Sequence, residues 1–176
     1  MARRMALTVL AVAVVAACGG NTTEPGPQGS FQASVTGDLT LSLSGTAVFG
    51  LQEGGGFVIA MEQGNVGGSS AELVMIGRDS PDRPAPGTYE IVSGTCTTCT
   101  SEDFSGLYLH QITALDLGFY LSLSGTLTID TSTGDRVTGS FSFTGTSFIL
   151  SGDVTAEDVA LEGTFSAVPG TIPSPI

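Results

Sequence analysis

The chain has 176 residues, which suits one domain of ordinary size. Acidic residues outnumber basic ones by 17 to 5, the formal net charge is −12, and all the basic residues are arginine. This balance excludes a nucleic-acid-binding protein, which needs clustered cations to displace counterions from phosphates. Only 12% of residues are charged, which argues against a coiled coil or helical bundle. The 41% of hydrophobic residues argue against disorder.

The first 17 residues predict an export signal. Arg3 and Arg4 form a basic start, and residues 5–17 are uncharged and almost wholly apolar. A helix of that length reaches about 20 Å, short of the ~30 Å hydrocarbon core of a membrane. The segment is therefore typical of a secretory signal rather than a spanning helix. Its removal takes away two arginines and lowers the net charge from −12 to −14.

The signal ends in Val15-Ala16-Ala17-Cys18, an aliphatic residue, two small residues and a cysteine. This ending resembles the lipobox of bacterial lipoprotein precursors. The resemblance implies cleavage before Cys18, a diacylglycerol on its thiol and, usually, an acyl group on the new amine. Two or three acyl chains make such an anchor effectively permanent. The alternatives are an ordinary secretory signal with a chance cysteine and an uncleaved anchor.

The residue after the cysteine indicates the membrane to which a lipoprotein is sorted. In Gram-negative lipoproteins an Asp at that position tends to retain the protein in the inner membrane, and here the residue is Gly19. The resemblance therefore implies an exported protein held at the outer membrane of the cell envelope by the lipid on Cys18.

Composition divides the rest of the chain into three parts. Residues 18–30 have no apolar periodicity and are rich in Gly, Pro and Thr, which is typical of a flexible tether. Residues 31–169 are predicted to form a single β domain, and residues 170–176 a C-terminal tail. The domain also resembles, more loosely, uncharacterised secreted β-rich bacterial proteins, a resemblance that implies no active site.

Apolar residues alternate with Ser and Thr from Phe31 onward, for example in residues 31–35, 39–43 and 137–143. Alternation of period two predicts strands with one apolar and one polar face. Turn clusters rich in Gly, Pro, Asp and Ser separate these runs. We expect an all-β fold, a single antiparallel meander of about nine strands closing as a small β-barrel or a two-sheet sandwich.

Two finer expectations concern register and strand curvature. A three-residue loop at residues 36–38 would pair Val35 with Leu39 and keep the apolar residues on one face, the alternative being a single bent strand. The apolar residues of 117–123 share their parity with those of 127–129 and are expected on the same face. Glycines recur at the apolar parity in the last three strands, which suggests a strongly coiled sheet; these are Gly125, Gly139 and Gly163.

The runs around residues 57–61 and 73–76 are apolar at both parities. Such strands are either central strands covered on both sides or the lining of a cavity, and burial in a core is favoured. If a cavity exists, Phe57, Met61, Leu73 and Met75 are the candidates to line it. A barrel of about eight strands either fills itself with side chains or holds one small ligand.

Cys96 and Cys99 form the only compact cysteine pair, in a segment whose flanks predict a loop. Export places them in an oxidising compartment, where a disulfide is the default. The alternatives are a redox-active pair, which needs a helix N-terminus to depress a thiol pKa, and a zinc site, which needs further ligands that this chain does not supply in a second CxxC.

The remaining polar candidates favour structural roles. His110 lies within residues 107–112, which predict a strand. Tyr108, His110 and Ile112 share a face there, which leaves a small binding patch as an alternative, and no G-x-S-x-G nucleophile motif accompanies His110. Glu102 and Asp103 are adjacent, so they point apart and suit a glycosidase poorly. Residues 130–135 resemble the start of a calcium loop but lack the later Glu, which favours a hairpin turn. Residues 80–87 hold three prolines and predict a stiff surface connection.

We therefore expect a membrane-anchored envelope protein that acts as a non-enzymatic binding or structural module. No cofactor and no metal are expected. The expected contacts are with the membrane through Cys18 and with a small apolar ligand, a glycan or an envelope protein. The alternatives are a barrel that carries a small apolar ligand and, less favoured, an envelope hydrolase.

Overall fold

The computed structural model describes residues 28–64, 71–110, 118–147 and 157–173. Within these ranges the secondary structure is all β, which confirms the predicted fold class. The strands are β1 (Ser30–Gly37), β2 (Leu41–Leu51), β3 (Phe57–Gly64), β4 (Ala71–Arg78), β5 (Gly87–Val92), β6 (Phe104–His110), β7 (Gly118–Ser132), β8 (Val137–Ser147) and β9 (Asp158–Pro169). No helix suited to crossing a membrane occurs in these ranges. Cys18 and most of the predicted tether lie outside the described residues.

The strands form one closed barrel in the order β1-β2-β3-β4-β6-β5-β7-β8-β9, with β9 paired to β1. The sheet is mixed, whereas a purely antiparallel meander was predicted. The long strand β7 pairs with β6 along its first residues and with β5 along its middle, so β5 and β6 meet in parallel. Strands β2 and β9 also pair in parallel, at Val48–Val168 and Phe49–Pro169, where the sheet extends past the first residue of β1.

The inward-pointing apolar side chains of the strands fill the inside of the barrel. They form a single buried cluster. Its nine aromatic rings belong to Phe31, Phe49, Phe57, Phe104, Tyr108, Tyr120, Phe141, Phe143 and Phe165. Each of these side chains is at most 7% exposed, so burial of their large apolar surfaces is a main source of stability.

The predicted inward glycines make room for these rings. Gly125 pairs with Phe143, and Gly139 pairs with Phe165. Gly163 lies between Phe141 on β8 and Ala33 on β1. A Cβ at Gly139 would lie 3.1 Å from the Phe165 ring, whereas a Cβ at Gly125 or Gly163 would lie 2.5 Å from the Phe143 Cβ or the Gln32 carbonyl oxygen. The missing side chains therefore allow the adjacent strands to approach closely.

The expectation that residues 117–123 share a face with residues 127–129 is wrong for the part the structure describes. The pairing of β7 with β8 shifts between Ser122 and Ser124, because Leu123 is an extra residue in β7. Such a bulge reverses the parity of the strand. Tyr120 and Ser122 therefore point inward on one side of the bulge, and Leu123 is 48% exposed.

The first hairpin keeps the predicted faces but not the predicted register. Val35 pairs with Leu41 rather than Leu39, and Ala33 pairs with Leu43. The shift of two residues preserves parity, so the apolar side chains still point inward. β1 continues to Gly37, whose φ of 108° suits glycine, and the Asp38 carboxylate then accepts a 2.7 Å hydrogen bond from the Asp158 N–H.

The outside of the barrel has two different faces. On β3, β4 and β6 the outward side chains are apolar, and four of them form a second buried cluster, Val58, Ala60, Leu73 and Leu109. Ile172, from the segment after β9, packs against this cluster. On β1, β2, β8 and β9 the outward side chains are mostly Ser, Thr, Gln and Glu. This second face is therefore polar.

Candidate functional site

The four residues proposed to line a cavity do not meet in one. Phe57 and Met61 point into the interior cluster, whereas Leu73 belongs to the cluster on the outside and Met75 packs against it. Five prominent clefts lie along the described residues, and none is lined by more than one of the four. The apolar runs at both parities therefore mark strands covered on both sides, the option that the sequence favoured.

Cys96 and Cys99 form a disulfide with an S–S distance of 2.05 Å. They lie in the exposed connection between β5 and β6, where the Cys96 N–H donates to the Ser93 carbonyl. The pair therefore closes a short turn on the surface.

His110 is part of a hydrogen-bonded group at one end of the barrel. This end, here called the upper end, is where β1 finishes at Gly37 and β2 begins at Leu41. The His110 Nδ1 lies 3.0 Å from the Glu72 carboxylate, and the Tyr108 hydroxyl donates a 2.7 Å hydrogen bond to that carboxylate. Both the His110 and Glu72 side chains are largely buried, at 15% and 12% exposure. The described partners of His110 include no Ser or Cys nucleophile.

Two tyrosines extend this group. The Tyr108 and Tyr120 rings stack with centroids 5.6 Å apart, and the Tyr120 hydroxyl donates a 2.8 Å hydrogen bond to the Glu157 carboxylate. Burial, reinforced by hydrogen bonding to Glu72, raises the pKa of Tyr108 well above its usual range. Burial and the bond to Glu157 likewise raise the pKa of Tyr120. Both hydroxyls therefore stay protonated and remain donors to carboxylates over the physiological pH range.

Glu102 and Asp103 serve different local structures, as their adjacency predicted. Glu102 accepts a 2.6 Å hydrogen bond from the Arg78 guanidinium, which is 5% exposed. Asp103 accepts a 2.7 Å bond from the Thr100 N–H. The same guanidinium donates to the Asp82 carbonyl at 2.7 Å and lies 5.3 Å from the centre of the Phe104 ring. Arg78 therefore holds the proline-rich and disulfide-bearing connections against the lower end of the barrel, opposite the upper end.

The calcium-like stretch is a hairpin turn between β7 and β8. The Thr133 N–H donates a 2.8 Å hydrogen bond to the Arg136 carbonyl, and the Thr133 hydroxyl donates to the same carbonyl. Within the described ranges no group of three or more His, Cys, Asp or Glu side chains is arranged to hold a metal ion.

The largest of the five clefts runs across four strands of the polar face, with a volume of about 710 Å³. Its floor is the backbone of one cross-strand row of inward-pointing residues: Leu43, Ala33, Gly163 and Phe141. One wall is the outward row Ser44, Gln32, Thr164 and Ser140, and the other is Ser42, Ser34 and Glu162. We call this cleft the cross-strand groove.

The pairing of the strands sets the size and chemistry of the cross-strand groove. Four strands at about 4.8 Å spacing make it about 14 Å long, and walls two residues apart leave about 7 Å between them. Its side chains offer five hydroxyls, one amide and one carboxylate, with no cation and no aromatic ring on the walls. The Ser34 hydroxyl lies 3.4 Å from the Glu162 carboxylate and donates to it. The cross-strand groove is thus a shallow polar site with one negative charge.

Sequence reasoning missed this groove, although it placed the Ser and Thr residues of these strands on a polar face. Residues such as Gln32 and Glu162 are 130 positions apart and meet only because β9 closes the barrel against β1. Their outward parity was the available signal, but a groove also needs the register between four strands. Comparison with protein-family models, curated proteins and solved structures finds no match for this chain.

Proposed function

We propose that this chain is a lipid-anchored protein of the bacterial cell envelope that acts as a non-enzymatic binding module. In this proposal Cys18 carries the lipid, residues 18–30 form the tether, and the barrel presents its outer surface to a ligand. The resemblance of residues 15–18 to a lipobox supports the anchor. One observation carries the binding role: the largest described cleft lies on the outside of a barrel whose interior is occupied by aromatic rings.

The position of the first strand suits such an arrangement. β1 begins at Ser30, at the lower end of the barrel, so a tether would join that end. Gln32 and Ser34 of the cross-strand groove follow within the same strand. A flexible segment of about a dozen residues has a root-mean-square reach of ~20 Å. The tether would thus hold the groove near the membrane surface and leave its outward face open.

The first alternative, a carrier of a small apolar ligand, has less support. Such a protein needs an enclosed apolar cavity, but Phe57 and Leu73 belong to clusters on opposite sides of the sheet. Titration of the full-length protein with cis-parinaric acid, a fluorescent fatty acid, separates the two proposals. We expect no saturable signal, and stoichiometric saturable binding would favour the carrier.

The second alternative, an envelope hydrolase, rests on His110. Its described neighbours, Glu72 and Tyr108, form hydrogen bonds with one another, and Tyr108 is fully buried. Catalysis by a His–carboxylate pair needs a nucleophile or an activated water held beside a substrate. The group is better explained as a polar closure of the upper end of the barrel.

Membrane fractionation tests the proposed anchor. When the full-length protein is expressed in a Gram-negative host, we expect it to sediment with membranes, to resist a high-salt wash and to dissolve in detergent. Cys18→Ala is expected in the soluble fraction. The double variant Cys96→Ala/Cys99→Ala is the control, because it also removes thiols but should still sediment. Wild-type protein that a high-salt wash releases from the membranes would refute the lipid anchor.

A further inference from the structure

We infer that the cross-strand groove binds a neutral oligosaccharide. This inference rests on the proposed function, since it names the ligand class of the proposed binding module.

The walls of the groove match a ligand that carries many hydroxyl groups. The hydroxyls of Ser42, Ser44 and Thr164 are exposed, and each can donate and accept a hydrogen bond. Gln32 adds an amide that does both, and Glu162 adds an acceptor for two donors. A sugar ring presents hydroxyls that likewise donate and accept, so its polar groups can be paired from both walls.

Charge excludes an anionic ligand. The groove holds one carboxylate and no Lys or Arg, and the whole chain has a formal net charge of −12. A phosphate or carboxylate ligand would meet repulsion with no donor of positive charge to offset it. A cationic ligand would find a single carboxylate, Glu162, on walls that are otherwise uncharged.

The backbone beneath the groove excludes an extended peptide held by strand addition. That mode needs a free strand edge with unpaired N–H and C=O groups. Here β1 is paired with β2 and β9, and β9 is paired with β8, so the backbone under the groove is used within the sheet. A ligand is therefore bound by side chains, and it lies across the strands rather than beside one.

The absence of aromatic rings on the groove walls sets the expected strength. Without stacking, affinity depends on hydrogen bonds that replace bonds to water, and each contributes about 0.5–1.5 kcal/mol. A few such bonds after the cost of association give a Kd of about 10⁻⁴ to 10⁻³ M. Weak binding of this kind is useful to a tethered protein that meets a polymer with many repeated units.

Isothermal titration of the full-length protein in detergent tests the inference. Maltohexaose, cellohexaose and chitohexaose are the neutral probes, with hexagalacturonate as the anionic probe and a hexalysine peptide as the cationic one. We expect saturable binding of at least one neutral probe, little changed by added salt. Ser42→Tyr, whose ring would fill the groove, and Glu162→Gln are each expected to weaken that binding about tenfold.

Matched controls lie on β5, outside the groove. Thr88→Tyr adds the same ring and Glu90→Gln removes the same charge at exposed positions, and both should leave the Kd within about twofold of the wild-type value. Binding of no neutral probe, or of a neutral probe that Ser42→Tyr does not weaken, overturns the inference. Binding of hexalysine alone overturns the ligand class. None of these results bears on the anchor, which fractionation and metabolic labelling test separately.

Discussion

Gly125 on β7 lies directly opposite Phe143 on β8, and a Cβ added at position 125 would lie 2.5 Å from the Cβ of Phe143. The same added atom would lie 2.2 Å from the Ser142 carbonyl oxygen. Both contacts are far closer than van der Waals separation, and both involve atoms near the backbone that cannot swing away. The glycine is therefore what allows β7 and β8 to approach at this level of the filled interior.

Gly125→Ala should destabilise the protein by about 1–3 kcal/mol, the usual cost of overpacking a core. Gly134→Ala is the matched control, because nothing lies within 4 Å of a Cβ at that position in the β7–β8 turn. Urea unfolding followed by circular dichroism measures both. Equal free energies of unfolding for the two variants would refute the tight approach of the strands.

Arg78 is expected to matter more for stability than its ion-pair partner. Its buried guanidinium makes hydrogen bonds to Glu102 and to the Asp82 carbonyl. Arg78→Met removes both and should cost about 2 kcal/mol, since a bond to a charged group contributes roughly 1.5–3 kcal/mol before any gain from the apolar replacement. Glu102 is 63% exposed, so Glu102→Gln should cost less than about 1 kcal/mol.

Urea unfolding of these two variants separates the contributions. Arg83→Met is a control, because that guanidinium is exposed and bonds only the Ser132 hydroxyl among its described partners. If Glu102→Gln destabilised the protein as much as Arg78→Met, the exposed ion pair rather than the buried guanidinium would be the important element.

Stability should fall at alkaline pH because of Tyr108 and Tyr120. Their pKa values are raised in the folded protein by burial and by bonds to Glu72 and Glu157. Above the usual tyrosine pKa of about 10, the unfolded chain loses protons that the folded chain keeps, so the free energy of unfolding falls by up to about 1.4 kcal/mol per pH unit for each tyrosine. Below that pH these two tyrosines do not make the free energy of unfolding depend on pH.

No lysine titrates in this pH range, because the chain has none. Urea unfolding from pH 8 to pH 11 should show a steeper decline for wild type than for Tyr108→Phe/Tyr120→Phe. The double variant will be less stable at neutral pH, so the slope rather than the absolute value is the readout. Identical slopes above pH 10 would contradict the raised pKa values.

The disulfide is expected to be a minor stabiliser. It closes a loop of only four residues, for which chain entropy predicts at most about 2 kcal/mol. Both cysteines are exposed and lie away from the cross-strand groove. Cys96→Ser/Cys99→Ser should therefore unfold at slightly lower urea and keep wild-type oligosaccharide binding. Loss of binding with the fold intact would point to a functional rather than a structural pair.

The alternation of apolar and polar residues predicted most of the fold. It gave the wrong face in β7, where the sequence does not reveal that one residue is extra. Phe31, Val35 and Leu43 point inward as their alternation predicts. In β7, however, the bulge at Leu123 reverses the faces. The local sequence does not show whether a leucine in an alternating run points inward or outward. The exposure of Leu123 is set by the pairing of β7 with β8. Residues 41–46 and 121–126 have the same sequence, yet Leu43 is buried and Leu123 is exposed.

Predicting the cross-strand groove would have required the register between neighbouring strands. The turn at Gly37 allowed two registers that differ by two residues and keep the same faces, and local sequence does not distinguish them. β5 and β6 pair with each other at only two positions, Ile91–Phe104 and Val92–Ser105, and each also pairs with β7. Pairings of this kind are set by the closed barrel as a whole. The sequence predicted that these strands carry outward Ser and Thr residues, but it did not predict that those residues lie side by side on four strands.

The proposed lipid on Cys18 would determine where the barrel works. Metabolic labelling with a palmitate analogue, followed by detection on the purified protein, tests it most directly. We predict a labelled wild-type protein and an unlabelled Cys18→Ala variant, with the Cys96→Ala/Cys99→Ala variant labelled as strongly as wild type. A wild-type protein without label, or label that survives Cys18→Ala, would contradict the account.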